Sequence, residues 1–210
     1  ILSPPSPFSL GNDSTLCEGQ TVLLQHTSPG LDFLWHDGRT SANYLVTTPG
    51  QYWLDASNRC GAVRDTIVID YLLPPAVFSL GDDVTLCIGD SFFVAFSLQN
   101  QVDYLWNDGL TDPFRYVFAQ GDYLLTASNM CGLEEDEFSV AIVDSPRVDL
   151  PVDTILCEDE MLTLDFFDPN IDYYLWENGS TRPGAFINKP GTYEINVGNL
   201  CDTLRSGFTV

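Results

Sequence analysis

Residues 8–24 read FSLGNDSTLCEGQTVLL, residues 78–94 read FSLGDDVTLCIGDSFFV and residues 148–164 read VDLPVDTILCEDEMLTL. One string occurs three times, 70 residues apart, and its cysteine (Cys17, Cys87, Cys157) keeps the step. An aromatic segment follows each copy: LDFLWHDGRT from Leu31, VDYLWNDGLT from Val102 and IDYYLWENGST from Ile171. A hairpin-like stretch comes next: TPGQYWLDASNRCG from Thr48, AQGDYLLTASNMCG from Ala119 and KPGTYEINVGNLCD from Lys189. Trp35, Trp106 and Trp176 recur at steps of 71 and 70, and so do Cys60, Cys131 and Cys201. Such a period marks a tandem array of one small module. Pro74-Pro75 and Ser145-Pro146 mark the joints, because proline has no amide hydrogen to give a sheet ladder. The expected domains are 1–73, 74–145 and 146–210. Short proline-containing joints predict a semi-rigid array.

Each repeat reads as β-structure. Residues 21–25, 31–35, 43–47, 52–56 and 65–70 of the first repeat carry the β-branched and aromatic side chains that suit a pleated sheet. Glu18-Gly19, Asp37-Gly38 and Pro49-Gly50 separate them as turns. No window has a helical stripe. Short strands with turn signals every 8 to 12 residues predict an all-β chain of three immunoglobulin-like sandwiches. Trp35, Trp106 and Trp176 are the expected core side chains, large enough to bridge two sheets; an exposed sugar-stacking platform is the alternative. Tyr52, Tyr123 and Tyr193 each follow a glycine by two, a placement in which a hydroxyl ties a turn to the sandwich. Trp53 has no tryptophan counterpart, since Leu124 and Glu194 match it, and is the candidate ligand contact.

Acidic residues outnumber basic ones by 30 to 8, for a formal net charge of −22. Such a surface repels nucleic acid and anionic membranes, so neither is an expected partner. The hydrophobic share, 44%, is too high for a disordered acidic tail. No apolar run is long enough for a membrane-spanning helix. The sequence reads as an internal part of something longer.

Two cysteines per repeat point to an oxidising, extracytoplasmic compartment. The expected pairs lie inside repeats: Cys17–Cys60, Cys87–Cys131 and Cys157–Cys201. Each would close a loop of roughly 43 residues and contribute about 4 kcal/mol. Six cysteines allow fifteen pairings, and bridges between adjacent repeats are the alternative. An in-repeat pair also requires the early strand to cross over or run alongside the last hairpin.

Catalytic chemistry finds little to use. His26 and His36 have no histidine counterparts in the other repeats, and they read as exposed. No nucleophile elbow, zinc motif or phosphate-binding loop occurs. No cofactor is expected. Calcium is the one candidate ion, near Asp13, Asp82 and Asp83, with ordinary turn capping by the same carboxylates as the alternative.

The strings LGxDxTLCxG, LWxDG and PGxYxxxxxNxCGxxxDTI resemble the immunoglobulin-like or PKD-like repeats of large secreted Bacteroidota surface proteins, the gliding-motility adhesin type carried by type 9 secretion. The matching residues of the first repeat are Leu10, Gly11, Asp13, Thr15 to Cys17, Gly19, Leu34, Trp35, Asp37, Gly38, Pro49, Gly50, Tyr52, Asn58, Cys60, Gly61 and Asp65 to Ile67. The resemblance covers nearly the whole chain. Gln120, Asp202 and Pro151 depart from it, all at turns. It implies a stalk, spacer or adhesive role at a cell surface, and O-glycosylation at Ser14, Thr66, Thr154 and Thr203. The expected function is therefore a structural segment of an extracellular adhesin or filament and not an enzyme. Its expected partners are other copies or repeats, glycans or cell-surface proteins. The alternative is a carbohydrate-binding array attached to a secreted enzyme.

Overall fold

The computed structural model describes residues 2–210. All regular structure among them is β. The first repeat holds β1 (Ser14–Cys17), β2 (Val22–Gln25), β3 (Asp32–Trp35), β4 (Asn43–Val46), β5 (Gly50–Asn58) and β6 (Gly61–Leu72). The second holds β7 (Val84–Cys87), β8 (Phe92–Val94), β9 (Asp103–Trp106), β10 (Arg115–Val117), β11 (Gly121–Asn129) and β12 (Gly132–Val143). The third holds β13 (Leu162–Asp165), β14 (Tyr173–Trp176), β15 (Gly184–Ile187), β16 (Thr192–Gly198) and β17 (Thr203–Thr209).

The first two repeats share one topology, and the third has the same arrangement without the parallel edge strand. A larger sheet has the order β1-β6-β5-β3 in the first repeat, β7-β12-β11-β9 in the second and β14-β16-β17 in the third. A two-stranded sheet, β2-β4, β8-β10 or β13-β15, accompanies it. These are repeated immunoglobulin-like β-sandwich units. By compactness the chain divides in two. One unit takes residues 1–78, 98–105 and 126–135, and the other takes 79–97, 106–125 and 136–210.

Alternation along the strands sends every second side chain inward. Leu24, Trp35, Val46, Tyr52, Leu54, Ile67 and Ile69 form the core of the first repeat. Ile171, Tyr174, Trp176, Ile195 and Val197 form that of the third. Trp35, Trp106 and Trp176 are only 1, 1 and 3% exposed. Each indole N–H is satisfied by a backbone carbonyl six residues on: Ser41 at 2.8 Å, Asp112 at 2.8 Å and Arg182 at 3.0 Å. A tight turn makes that reach possible. The amides of Gly38, Gly109 and Gly179 donate back to the tryptophan carbonyls, each at 2.9 Å. Their φ angles of 89°, 87° and 81° lie in the left-handed region that glycine occupies without strain.

The three tyrosine hydroxyls each donate to a carbonyl four residues upstream. Tyr52 reaches Thr48 at 2.6 Å, Tyr123 reaches Ala119 at 2.8 Å and Tyr193 reaches Lys189 at 2.9 Å.

The histidines differ from the exposed placement expected of them. His26 stacks on Phe8 with ring centres 4.3 Å apart. His36 sits among Tyr44, Tyr52 and Trp53 at 5.1, 4.9 and 5.4 Å. Their flat rings fill aromatic niches that an exposed polar residue would leave open.

Candidate functional site: cystine-clamped repeat junctions

The tip of each long hairpin is built by one asparagine. Asn58, Asn129 and Asn199 accept the amide of the cysteine two residues on, at 2.8, 2.8 and 2.9 Å. The same side chains donate from Nδ2 to the carbonyl of Ser3, Leu73 or Asp144, at 2.9, 2.9 and 2.7 Å. The hairpin tip is thereby pinned to the peptide that leads into its own repeat. The approach is close at Gly132, where an added Cβ would stand 3.1 Å from Pro74 Cβ.

The other half of each junction is a short strand that runs parallel to the second strand of the long hairpin. β1 pairs with the end of β6, setting Cys17 opposite Leu72. β7 pairs with the end of β12, setting Cys87 opposite Val143. The early cysteine thus lies where the chain leaves its repeat, beside the hairpin tip of the next.

The disulfides follow from this geometry, and they correct the expected pairing. Cys17 bonds Cys131 with Cα atoms 5.3 Å apart, and Cys87 bonds Cys201 at 5.4 Å. Cys60 and Cys157 are free and exposed. Pairing inside a repeat is ruled out by strand direction. Cys60 precedes the first residue of β6, while Cys17 sits opposite its last. Twelve residues of strand put these ends about 36 Å apart or more at ~3.3 Å per residue. A disulfide needs its Cα atoms within about 7 Å.

Two of the three carboxylates named for calcium, Asp13 and Asp83, bind backbone amides, as does their third-repeat counterpart Asp153. Asp13, Asp83 and Asp153 accept the amides of Val68, Ser139 and Thr209, each at 2.8 Å. They lock the approach to the parallel strand segment. Asp82 is exposed beside Asp83. No group of three His, Cys, Asp or Glu side chains that could hold a metal forms among the described residues. Asp65 and Asp136 accept the amides of Leu10 and Leu80 at 2.6 Å.

Ion pairs decorate the outer faces. Arg64 makes two hydrogen bonds to the Asp55 carboxylate, at 2.7 and 2.6 Å. That guanidinium holds the Asp55 carboxyl below the usual carboxylate value, against a smaller upward push from burial. Arg64 also lies 5.4 Å from the Trp53 ring centre, and Trp53 is half-buried. Of the residues implicated in O-glycosylation, Ser14, Thr66 and Thr203 are exposed and Thr154 is half-buried.

A second surface was not singled out from sequence. Two of the two-stranded sheets turn an apolar pair outward, Leu23 opposite Leu45 and Phe93 opposite Tyr116; in the third repeat Phe186 alone faces outward, opposite Thr163. In the second repeat these become an aromatic row, with Phe93 and Tyr116 rings 4.8 Å apart and Tyr116 and Phe118 6.2 Å apart. Tyr116 and Phe118 are 59 and 66% exposed. The sequence carries no clear signal for it, because β8 reads Phe92-Phe93-Val94 with no apolar/polar alternation.

No protein-family profile matches the chain, and no curated protein matches it. Solved structures do. The chain is similar to a titin fragment of three immunoglobulin domains, I67 to I69 in an E-to-A mutated variant, with a TM-score of 0.75 and 15% identity over 100% of this chain and 98% of that one. A second I67 to I69 fragment from the titin I-band gives 0.68 and 16%, over 99% and 95%. The eight N-terminal immunoglobulin domains of Down Syndrome Cell Adhesion Molecule give 0.55 and 13%, over 94% of this chain and 35% of that one. At such identities the likeness establishes the immunoglobulin-like fold.

Proposed function

We propose that the chain is a segment of a secreted, non-enzymatic repeat protein that works at a cell surface as a spacer or adhesive module. The carrying observation is that both disulfides join one repeat to the next. A bridge in that position adds nothing to chemistry inside a repeat. It resists the separation of neighbours under load, and it persists only in an oxidising compartment. The acidic surface, at a net charge of −22, supports solubility outside the cell. The resemblance to repeats of Bacteroidota adhesins of the gliding-motility type supports a bacterial surface filament or adhesin as the parent protein. Other repeats, other copies and surface proteins are the partners of this reading. The test is mechanical: single chains pulled from both ends, oxidised and reduced. Extension released at each unfolding step should be shorter in the oxidised chain, because residues inside the cross-linked loops cannot extend. Equal contour lengths in both states contradict the reading.

A glycan-binding role is the second reading, and the aromatic row Phe93, Tyr116 and Phe118 favours it, since flat exposed rings suit stacking on sugar faces. Trp53 is the weaker platform because Arg64 stands over it. A glycan array with the intact chain and with Tyr116→Ala decides: saturable binding lost in the variant supports the second reading, and no binding removes it.

A further inference from the structure

Three positions near each core tryptophan differ between the repeats in a coordinated way. They lie two, six and nine residues after the tryptophan: Asp37, Ser41 and Tyr44 in the first repeat, Asp108, Asp112 and Arg115 in the second, Asn178, Arg182 and Ala185 in the third. In the first repeat the Tyr44 ring centre lies 5.2 Å from that of Trp35, and the Tyr44 hydroxyl donates to Asp37 at 3.0 Å. In the second the Arg115 guanidinium lies 5.0 Å from the Trp106 ring centre and pairs with Asp108 at 2.8 Å. In both, a flat polar group packs on the tryptophan and is tied to the turn that follows it.

The third repeat lacks that group. Ala185 is too short to reach the turn, and Asn178 replaces the acid. An open cavity of about 180 Å³ stands there, lined by Trp176, Asn178, Ser180, Arg182, Ala185 and Phe186. That is the space of about six waters at ~30 Å³ each. It has room for one ring and is smaller than the roughly 300 Å³ or more of a drug-sized ligand site. Trp176 is 3% exposed and adds little open surface, whereas Phe186 is 69% exposed and offers an apolar wall.

The free polar groups are donors. The Asn178 Oδ1 already accepts the Ser180 amide at 2.9 Å, which leaves its Nδ2 to donate. Arg182 enters none of the ion pairs among the described residues. The three positions carry one net negative charge in the second repeat and one positive charge in the third. Glu177, beside Asn178 in sequence, acts on Arg205 instead. A cationic hollow on a chain of net charge −22 selects an anion locally. A guanidinium binds a carboxylate through two parallel hydrogen bonds.

We propose that this cavity binds a carboxylate carried on a six-membered ring, with the ring packed against Phe186 and the carboxylate held by Arg182 and the Asn178 Nδ2. Two sources supply that chemistry: a uronic acid unit of an acidic polysaccharide, and a free aromatic acid. The site goes beyond the spacer reading, and it shares no residue with the aromatic row of the second repeat.

The test titrates the isotope-labelled chain with glucuronate and with benzoate, using glucose and benzyl alcohol as uncharged controls. It is read by NMR at the Trp176 indole and Arg182 guanidinium N–H signals. Saturable shifts with a carboxylate and none with its uncharged control are expected. Saturation by glucuronate alone assigns the polysaccharide source, and saturation by benzoate alone assigns the aromatic acid. Arg182→Gln should weaken binding at least about tenfold; Arg182 is exposed, so this variant keeps the fold. Ala185→Tyr combined with Asn178→Asp rebuilds the arrangement of the first repeat, fills the cavity and should abolish binding. Tyr116→Ala should leave the affinity unchanged. The proposal is overturned if neither carboxylate saturates, if the uncharged controls shift the same signals equally, if Arg182→Gln binds as wild type does, or if the filled variant folds and still binds.

Discussion

Replacing Cys131 by serine deletes the bridge to Cys17 and frees one thiol. The bridge closes a loop of 114 residues. Chain entropy for that loop is about 16 cal/mol/K, or about 4.8 kcal/mol at 25 °C. A bridge from Cys87 to Cys131 would close roughly 44 residues and contribute about 4 kcal/mol. The two figures are too close for one variant to separate, but a cycle of variants separates them. C17S, C131S and the C17S/C131S pair all delete the same bridge, so they should be destabilised equally, within about 0.5 kcal/mol. C87S/C131S deletes both bridges and should cost about twice as much. The assay is urea unfolding followed by fluorescence of the buried tryptophans. At about 2 kcal/mol/M, one bridge moves the midpoint by about 2 M. The reasoning is refuted if C87S/C131S is no less stable than C131S while C17S/C131S is additive.

Three further outcomes follow from single side chains. Tyr52→Phe leaves the Thr48 carbonyl without its donor, which should lower stability by about 1 kcal/mol in the same unfolding assay; Tyr123→Phe should cost less because that ring is half-buried. Asp55→Asn should lower stability at neutral pH, and the gap to wild type should close in acid. The sign follows from a folded pKa below the ordinary 3.8: the stabilisation is present above 3.8 and is lost as pH falls through the lowered value. A gap that persists unchanged at pH 2 contradicts this. Gly184→Ala should be destabilising by about 1–3 kcal/mol, because an added Cβ would overlap the Leu164 carbonyl across the β13-β15 pair; a thermal midpoint equal to wild type contradicts it.

Much of the fold is legible because it is local and repeated. The LWxDG strings combine a strand end with a turn that only glycine takes easily, and strands follow the β-branched and aromatic runs at Val22–Gln25, Asp32–Trp35 and Asn43–Val46. β1 is harder to read. Four residues give no usable periodicity, and its partner, Ile69–Leu72, is 55 residues away. Its marker is Asp13, whose carboxylate takes the Val68 amide, but an aspartate beside a turn reads equally as a cap or an ion ligand. The disulfide pairing fails for the same reason. Spacing cannot reveal that β1 runs parallel to β6, and that direction alone puts Cys17 at the end of the repeat away from Cys60. The outward row Phe93, Tyr116 and Phe118 was hidden because a short apolar run reads as core unless the face of each residue is known.

The claim on which the rest depends is that neighbouring repeats are covalently joined. Alkylation of the monomeric chain without reduction, followed by proteolysis and mass spectrometry, tests it most directly. The account predicts label on Cys60 and Cys157 alone, with peptides cross-linked from Cys17 to Cys131 and from Cys87 to Cys201. A peptide joining Cys17 to Cys60, or label on all six cysteines, would contradict it.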